Sequence, residues 1–373
     1  MKKIYINAQQ SSSDGSSVVV KLILDVLLYD SKTDIINLLI PRGGQLSVIL
    51  VNSENVTVRK DRFFMPSLMG RLINILRFWS VQNKDSVIVT LSDIPVLSRV
   101  PQILLLHNSL LFSDAVTWKF PTNDFSFIKR LFFHIKISLL RKVLKFNLRY
   151  VTVYVVQSPL MKKRLIENFK LPASSIKVSM MPRPFFDLET TLPRITSPPS
   201  GRFRLIFPAH YKPHKNHGLI MEAVRLYRNE LADTDFIFTF SKLASPSKVG
   251  LKENIINIPG VSYAEMPKLY KSCDALIFPS LDESFGLPLL EAMEMGLPIL
   301  AADRPYSRWM IGETGFFFDP YSPSDMVKNL LRLKEEIYSG WKPDWRDALS
   351  KFPTNQDALG KTFSKIVYET IEP

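Results

Sequence analysis

Short apolar runs alternate with longer polar or amphipathic stretches along the 373 residues of this chain. In the first half such runs lie at 3–7, 35–40, 86–91, 102–106 and 151–156. A continuous apolar run of about five residues is typical of a strand that is buried on both faces. The alternation therefore predicts an α/β domain whose mostly parallel sheet carries helices on both faces.

The second half repeats this alternation after a break. Residues 181–202 are rich in proline and have little periodicity, and an apolar run at 203–207 follows them. Because the chain is too long for one typical domain, we expect two. We predict a first domain at 1–183, a linker at 184–202 and a second domain at 203–353.

The stretch 275–298 predicts a strand, a loop and a helix in close succession. Its first four residues are apolar, 279–285 suit a loop, and a helix is expected from Gly286 to about Gly296. Unpaired backbone N–H groups and the helix dipole point at the same place at such a helix start. This stretch therefore predicts an anion site.

Two carboxylates flank the predicted anion site, Glu283 in the loop and Glu291 on the helix. Like charges would repel a ligand that is phosphate alone. Carboxylates also accept hydrogen bonds from sugar hydroxyls, so a sugar linked to a diphosphate satisfies both halves of the site. The alternative is an exposed helix with two solvated glutamates.

A second loop between a predicted strand and a helix, at 208–218, is rich in cations and imidazoles. His210, Lys212 and Lys215 lie where they would neutralise a diphosphate leaving group as its bond breaks. Zinc binding by His210, His214 and His217 is a rival interpretation. No carboxylate or thiolate completes that set at a useful spacing.

The positive charge is unevenly distributed along the chain. The formal net charge is +13, and residues 1–183 carry the whole excess. Residues 127–150 contain seven Lys and Arg and no acidic residue, and their apolar residues recur every three or four positions. This basic amphipathic helix suits an anionic membrane surface or, alternatively, is a domain helix with a solvated basic face. Nucleic acid is a weaker candidate, because no nucleic-acid-binding motif accompanies the charge.

Cysteine content and hydropathy bear on the cellular location. The single cysteine, Cys273, permits no internal disulfide, so we expect a reducing compartment and a small buried side chain. The first residues lack the apolar core of a signal peptide, and no uncharged apolar run approaches the roughly 20 residues that span a bilayer. We expect a cytoplasmic protein, with the cytoplasmic face of a membrane as the alternative position.

One string of residues is specific enough to indicate a family. Residues 278–293 read Phe-Pro-Ser-Leu-Asp-Glu-Ser-Phe-Gly-Leu-Pro-Leu-Leu-Glu-Ala-Met. This string resembles the donor-site signature of the retaining glycosyltransferases of family 4, the glycosyl transferases group 1, in their bacterial surface-polysaccharide type. The resemblance implies the glycosyltransferase-B fold, which is α/β with two Rossmann-like domains facing a cleft. It also implies that a last helix, within 354–373, packs back on the first domain.

The resemblance implies a role for each matching residue. His107, just past the predicted strand 102–106, would face the donor sugar and the acceptor, and Lys215 and Glu283 would act with it in catalysis. His210 stands where the family has an arginine. The donor-binding residues implied are Gly15, His210, Lys212, Lys215, Glu283, Ser284, Phe285, Gly286, Leu287 and Glu291.

The activity implied by the resemblance is transfer of a sugar from a UDP-, GDP- or ADP-linked donor to a glycan or lipid-linked acceptor, with retention. No cofactor and no metal are expected, and the acceptor would belong to lipopolysaccharide, capsule or O-antigen assembly. The pair Asp233 and Asp235 resembles the metal motif of the other glycosyltransferase fold, but it is predicted to precede a strand, where no ligand reaches it. Alternatives are a sugar-nucleotide epimerase or phosphorylase, a non-catalytic carbohydrate-binding or scaffold protein, and a nucleic-acid-binding protein.

Overall fold

The computed structural model of the protein describes residues 2–9, 14–30, 34–41, 46, 54–60, 75–76, 78–112, 127–186, 201–240 and 254–372. The chain divides into two compact units. Unit 1 comprises 1–113, 131–182 and 352–373, and unit 2 comprises 114–130 and 183–351. Most of the predicted linker lies outside the described residues.

Each unit is built on one parallel sheet. The strands of unit 1 are β1 (Lys3–Asn7), β2 (Ile35–Ile40), β3 (Val56–Lys60), β4 (Ser86–Thr90), β5 (Gln102–Leu106), β6 (Val153–Val156) and β7 (Ile176–Val178). Those of unit 2 are β8 (Phe203–Phe207), β9 (Thr234–Phe238), β10 (Ile255–Asn257), β11 (Ala275–Phe278), β12 (Ile299–Ala302) and β13 (Phe316–Phe318). The orders are β3-β2-β1-β4-β5-β6-β7 and β10-β9-β8-β11-β12-β13, and every paired strand runs parallel to its neighbour.

Helices connect the strands. In chain order they are α1 (Asp14–Asp30), α2 (Phe127–Asn147), α3 (Pro159–Phe169), α4 (His217–Leu226), α5 (Met266–Lys271), α6 (Leu287–Glu294), α7 (Pro305–Ile311), α8 (Pro323–Tyr338), α9 (Arg346–Leu349) and α10 (Ala358–Ile371). Among the described residues, no helix is both long enough and apolar enough to cross a membrane.

Burial explains why some strands could be predicted and others could not. Every residue of β4, β5, β8, β11 and β12 is buried, and most residues of each strand are apolar. The strands without a predicted counterpart, β3, β7 and β10, lie at sheet edges and are partly exposed. Their mixed polarity follows from that exposure and hides them from a search for apolar runs.

Two element boundaries affect candidate residues. Helix α1 begins at Asp14, so Gly15, which the resemblance implied to bind the donor, lies in the first turn of this helix. Strand β9 begins at Thr234, so Asp235 lies inside the strand instead of preceding it. Asp235 is buried and accepts a hydrogen bond of 2.8 Å from Arg202 Nε.

The C-terminal helix α10 packs closely on α1 within unit 1. A Cβ atom at Gly360 would lie 2.5 Å from the side chain of Val26 and 2.8 Å from the carbonyl oxygen of Leu22. The Tyr368 hydroxyl donates a hydrogen bond of 2.9 Å to Asp34. The C-terminal helix α10 therefore packs in the same unit as the N-terminal residues of the chain.

Candidate functional site

The predicted anion site lies at the switch point of the sheet in unit 2. Strands β8 and β11 are neighbours, and the chain leaves β8 toward β9 on one side and β11 toward β12 on the other. The loops that follow them, 208–216 and 279–286, therefore leave adjacent positions at the carboxyl edge of the sheet. In open parallel sheets, ligands bind at such a position.

Hydrogen bonds tie these two loops together. The backbone N–H of Leu281 donates to the carbonyl oxygen of His214 at 2.8 Å. Asn216, buried and with a left-handed φ of 57°, donates from Nδ2 to the carbonyl oxygens of Pro279 at 3.3 Å and Pro320 at 2.9 Å. Asn216 thus joins the loops that follow β8, β11 and β13.

The loops also bring two predicted catalytic residues into contact. Lys215 Nζ donates to Glu283 Oε1 at 2.6 Å, and both side chains are mostly buried, with 18% and 11% of their surfaces exposed. A charge-assisted hydrogen bond of this length is strong, particularly away from bulk water. The pair places a cation and a carboxylate side by side at the edge where a ligand would enter.

Further contacts hold the backbone of the Glu283 loop. The Tyr306 hydroxyl donates to the carbonyl oxygen of Ser280 at 2.6 Å, and Arg304 Nε donates to that of Leu281 at 2.9 Å. Both donors come from the segment after β12. The position of Glu283 is therefore fixed by two neighbouring segments, the loop after β8 and the segment after β12, and not by its own loop alone.

The start of α6 has the geometry of an anion site. Gly286, the residue before the helix, has φ of +93°, and a Cβ there would lie 3.3 Å from Leu289 Cδ1. Glycine adopts this conformation at little cost, and other residues do so rarely. The Phe285 ring is buried and meets Trp309 edge-on, so this side chain packs inside unit 2. The other predicted residues here, Ser284 and Leu287, are half-buried.

Glu291 lies in α6, and its side chain is buried. The Tyr270 hydroxyl, on α5, donates to Glu291 Oε2 at 2.6 Å. Burial raises the pKa of the Glu291 carboxyl to about 7, and the hydrogen bond from Tyr270 opposes this rise. Glu291 is therefore an acceptor whose charge changes near neutral pH.

The imidazoles of the first loop do not form a zinc site. His217 is packed among the rings of Phe207, Tyr211, Phe238 and Phe240, with centroid distances of 4.6, 5.1, 5.2 and 5.4 Å. Burial and the nearby Lys215 lower the pKa of His217 to about 3, and burial, Lys215 and Lys212 hold that of His214 well below its usual value. Within the described part of the chain, no three His, Cys, Asp or Glu residues come close enough together to hold a metal ion.

His210 and Lys212, predicted to bind the diphosphate, are both exposed in the loop after β8. The two aspartates that resembled a metal motif are used in ion pairs. Asp233 accepts from Lys334 Nζ at 2.7 Å, and Asp235 pairs with Arg202. These contacts give both carboxylates a structural role.

Two candidate residues belong to unit 1. His107 directly follows β5, where its backbone N–H and that of Asn108 donate to Asp93 Oδ1 at 2.9 and 2.8 Å. His107 Nε2 also lies 3.8 Å from Asp93 Oδ2. Gly15 lies in α1, and the residues just before that helix are outside the described residues.

Sequence reasoning missed Asp93, Asn216 and Tyr270. Asp93 had a usable signal, because it follows a predicted strand just as His107 does. Asn216 stands directly before a helix in the cationic loop, but its two carbonyl partners are 63 and 104 residues away. Tyr270 had no local signal, since its partner Glu291 is on another helix.

Part of the chain is similar to known proteins. The family description "Glycosyl transferases group 1" matches residues 189–337. A D-inositol 3-phosphate glycosyltransferase from Arthrobacter sp. is 28% identical over 150 residues, which are 37% of this chain and 36% of that protein. The O-antigen chain mannosyltransferase RfbU from Salmonella typhimurium is 25% identical over 134 residues, which are 34% of this chain and 37% of that protein. The matched part thus spans little more than a third of each relative's length.

The similarity of fold extends over the whole chain. The crystal structure of HepE from Anabaena in complex with UDP-glucose has a TM-score of 0.60 at 15% identity, and the match covers 100% of both chains. With the two parallel sheets, this likeness confirms two Rossmann-like domains of the glycosyltransferase-B class. Residues 189–337, which carry the Lys215–Glu283 pair and Glu291, are therefore similar to the glycosyl transferases group 1 family.

Proposed function

We propose that this protein is a glycosyltransferase that moves a sugar from a nucleotide diphosphate sugar to a glycan or lipid-linked acceptor. The observation that carries the proposal is the Lys215–Glu283 pair, which joins the two loops of the switch point beside the start of α6. The family match supports the reaction class. RfbU, named as an O-antigen chain mannosyltransferase, supports an acceptor that belongs to a bacterial surface polysaccharide.

Each charged group has a defined role in this proposal. Lys215 and the backbone N–H groups at the start of α6 hold the diphosphate, because both carry positive charge at one place. Glu291 accepts hydrogen bonds from the ribose hydroxyls, and Glu283 accepts them from the transferred sugar. Lys215, 2.6 Å from Glu283, offsets the carboxylate charge that would otherwise repel the diphosphate.

The reaction breaks the bond between C1 of the sugar and the diphosphate oxygen. The acceptor hydroxyl oxygen forms the new bond to C1 on the face that the diphosphate leaves, so the configuration is retained. The hydroxyl proton passes to the departing phosphate oxygen. Lys215 stabilises the charge that develops on that oxygen, and no step of the proposal calls for a metal ion.

The donor can be identified by thermal stability. HepE binds UDP-glucose, so UDP-linked sugars are the first choice, with GDP- and ADP-linked sugars as alternatives. A ligand that binds the native state alone raises the melting temperature of the protein. Failure of every nucleotide diphosphate and nucleotide sugar to raise it would count against the proposal.

Two substitutions test the assignment of residues. We expect Lys215→Ala and Glu291→Ala each to lower the rate of transfer by roughly two orders of magnitude, the effect of removing one stabilising contact to the transition state. Lys177→Ala, an exposed lysine in unit 1, is the matched control and should keep the wild-type rate. Circular dichroism checks that each variant is folded. Rates near wild type in both site variants would remove the assignment.

Product analysis separates transfer from its rivals. A glycosyltransferase forms its glycosidic product in the presence of acceptor, and nuclear magnetic resonance of the new bond shows whether the configuration is retained. A sugar-nucleotide epimerase converts the donor without any acceptor, and a phosphorylase needs phosphate. A binding protein converts nothing.

A further inference from the structure

Helix α2 has apolar residues on two opposite faces. Leu140 and Leu144 are buried in the core of unit 1, and Ile137 is buried on the same side. Six other large apolar side chains of this helix are exposed, with between 38% and 68% of their surfaces accessible. They are Ile128, Leu131, Phe132, Ile135, Leu139 and Phe146.

The exposed apolar side chains form one stripe. At about 100° per residue, all six fall within an arc of about 100°, on the side opposite Leu140 and Leu144. From Ile128 to Phe146 the stripe extends for about 27 Å at 1.5 Å per residue. Scattered exposed apolar residues are ordinary, but a continuous stripe of this length marks an interaction surface.

Cations border this stripe. Lys136 and Lys145 are exposed at its two edges, and the exposed Lys142 lies within its last turns. No acidic residue occurs between 127 and 150. The flexible lysine stems allow their charges to remain in water while the apolar side chains between them are covered.

We propose that this face of α2 binds an anionic lipid bilayer, with the stripe inserted among the acyl chains and the lysines at the headgroups. A bilayer with acidic lipids offers an apolar layer directly beneath a negatively charged surface, which matches the stripe and its borders. A second copy of the chain fits less well, because it would bring the lysines of both copies together. The other face of the helix stays in the core of unit 1, so α2 would lie along the surface and not across it.

Vesicle flotation of the full chain tests the proposal without donor or acceptor, so its failure would leave the proposed glycosyl transfer untouched. We expect wild-type protein to float with vesicles of phosphatidylcholine and phosphatidylglycerol, and much less with phosphatidylcholine alone. Phe132→Ser combined with Ile135→Ser should lower the partition coefficient about tenfold or more, because two apolar side chains that would insert into the bilayer are lost. Leu226→Ser, which replaces an exposed leucine of α4 in unit 2, is the control and should bind like wild type.

Charge is tested separately from the apolar stripe. Lys142→Gln combined with Lys145→Gln should lower the partition coefficient about 30-fold, the product of two lysine contributions at an anionic surface. The control, Lys163→Gln with Lys177→Gln, removes the same charge from exposed positions elsewhere in unit 1. Equal losses in both pairs would mean that overall charge, and not this face, attracts the bilayer, which would overturn the proposal.

Two other results would also overturn it. One is a wild-type protein that fails to float with anionic vesicles at low salt. The other is a wild-type protein that is dimeric in solution and becomes monomeric when Phe132→Ser and Ile135→Ser are combined. That result would mean that a second copy covers the stripe. Unchanged thermal unfolding of the variants shows that the substitutions act on the surface and not on the fold.

Discussion

Burial gives Glu291 a pKa of about 7, which makes its charge dependent on pH in the range where enzymes work. The carboxylate form accepts hydrogen bonds at both oxygens, whereas the protonated form donates one. Tyr270 already donates to Oε2. If Glu291 holds the ribose as proposed, the ionised form is the one that binds the donor well.

We therefore predict that the donor binds about tenfold more tightly at pH 8 than at pH 6. The ionised fraction of a group with a pKa of about 7 changes by that factor, and the apparent affinity follows the competent fraction. Isothermal titration calorimetry with the nucleotide sugar measures the affinity at each pH. The doubly esterified diphosphate of this ligand does not change its protonation between pH 6 and pH 8, so a change in affinity reports on the protein. Glu291→Gln should bind weakly and equally at both values. An affinity of the wild type that is independent of pH would contradict the role of Glu291.

Tyr270→Phe provides a second check on the same residue. The hydroxyl lowers the pKa of Glu291, so its removal should move the midpoint of the pH dependence upward. We expect a shift of about one pH unit or more, since a hydrogen bond to a charged group contributes about 1.5 kcal/mol or more. A midpoint that stays in place would show that Tyr270 does not act on this carboxyl.

At the scale of elements, the site depends on loops that hold one another. Asn216 connects the loops after β8, β11 and β13 through its side-chain amide, and its left-handed backbone turns the chain into α4. The amide and the backbone conformation are two separate contributions, and two substitutions distinguish them.

Asn216→Gly keeps the backbone conformation and removes both hydrogen bonds, so we predict a loss of about 1–3 kcal/mol in the free energy of unfolding. Asn216→Ala should lose about 1 kcal/mol more, because a Cβ residue is strained at φ of 57°. Chemical denaturation followed by tryptophan fluorescence reports on unit 2 through Trp309, Trp341 and Trp345. A glycine variant as stable as wild type would mean that the amide bonds contribute nothing.

The elements also show what sequence could predict and why. Strands β5 and β8 have the predicted bounds, because buried strands are mostly apolar, although each also holds one buried polar residue, Gln102 and Arg204. The edge strands β3, β7 and β10 had no such pattern. Local motifs likewise indicated Glu283 and Lys215, but their 2.6 Å contact spans 68 residues of sequence and depends on the pairing of β8 with β11.

At the scale of the whole molecule, the two ends of the chain meet in unit 1. Gly360 of α10 lies so close to α1 that any Cβ would press on the Leu22 carbonyl, which is backbone and cannot rotate away. We predict that Gly360→Ala lowers the free energy of unfolding by about 1–3 kcal/mol, although alanine is the better helix former. Thermal unfolding by circular dichroism measures this. Lys361→Ala, its exposed neighbour, should change little, and a stabilised Gly360→Ala would contradict the close packing of α10 on α1.

The whole molecule also distributes its charges unevenly along the chain. Residues 1–183 carry the entire positive excess, and the remainder is slightly acidic, with 22 Lys and Arg against 24 Asp and Glu. The proposed donor site thus relies on a few placed cations such as Lys215, whereas the proposed membrane face of α2 relies on a basic surrounding. High salt should therefore weaken vesicle binding far more than donor binding, since exposed charges are screened most.

A crystal structure of the protein with the nucleoside diphosphate that raises its melting temperature most tests the central claim directly. The account predicts the diphosphate against Lys215 Nζ and the backbone at Gly286, and the ribose hydroxyls within hydrogen-bond distance of the Glu291 carboxylate. A nucleotide bound elsewhere on unit 2, or on unit 1, would contradict it.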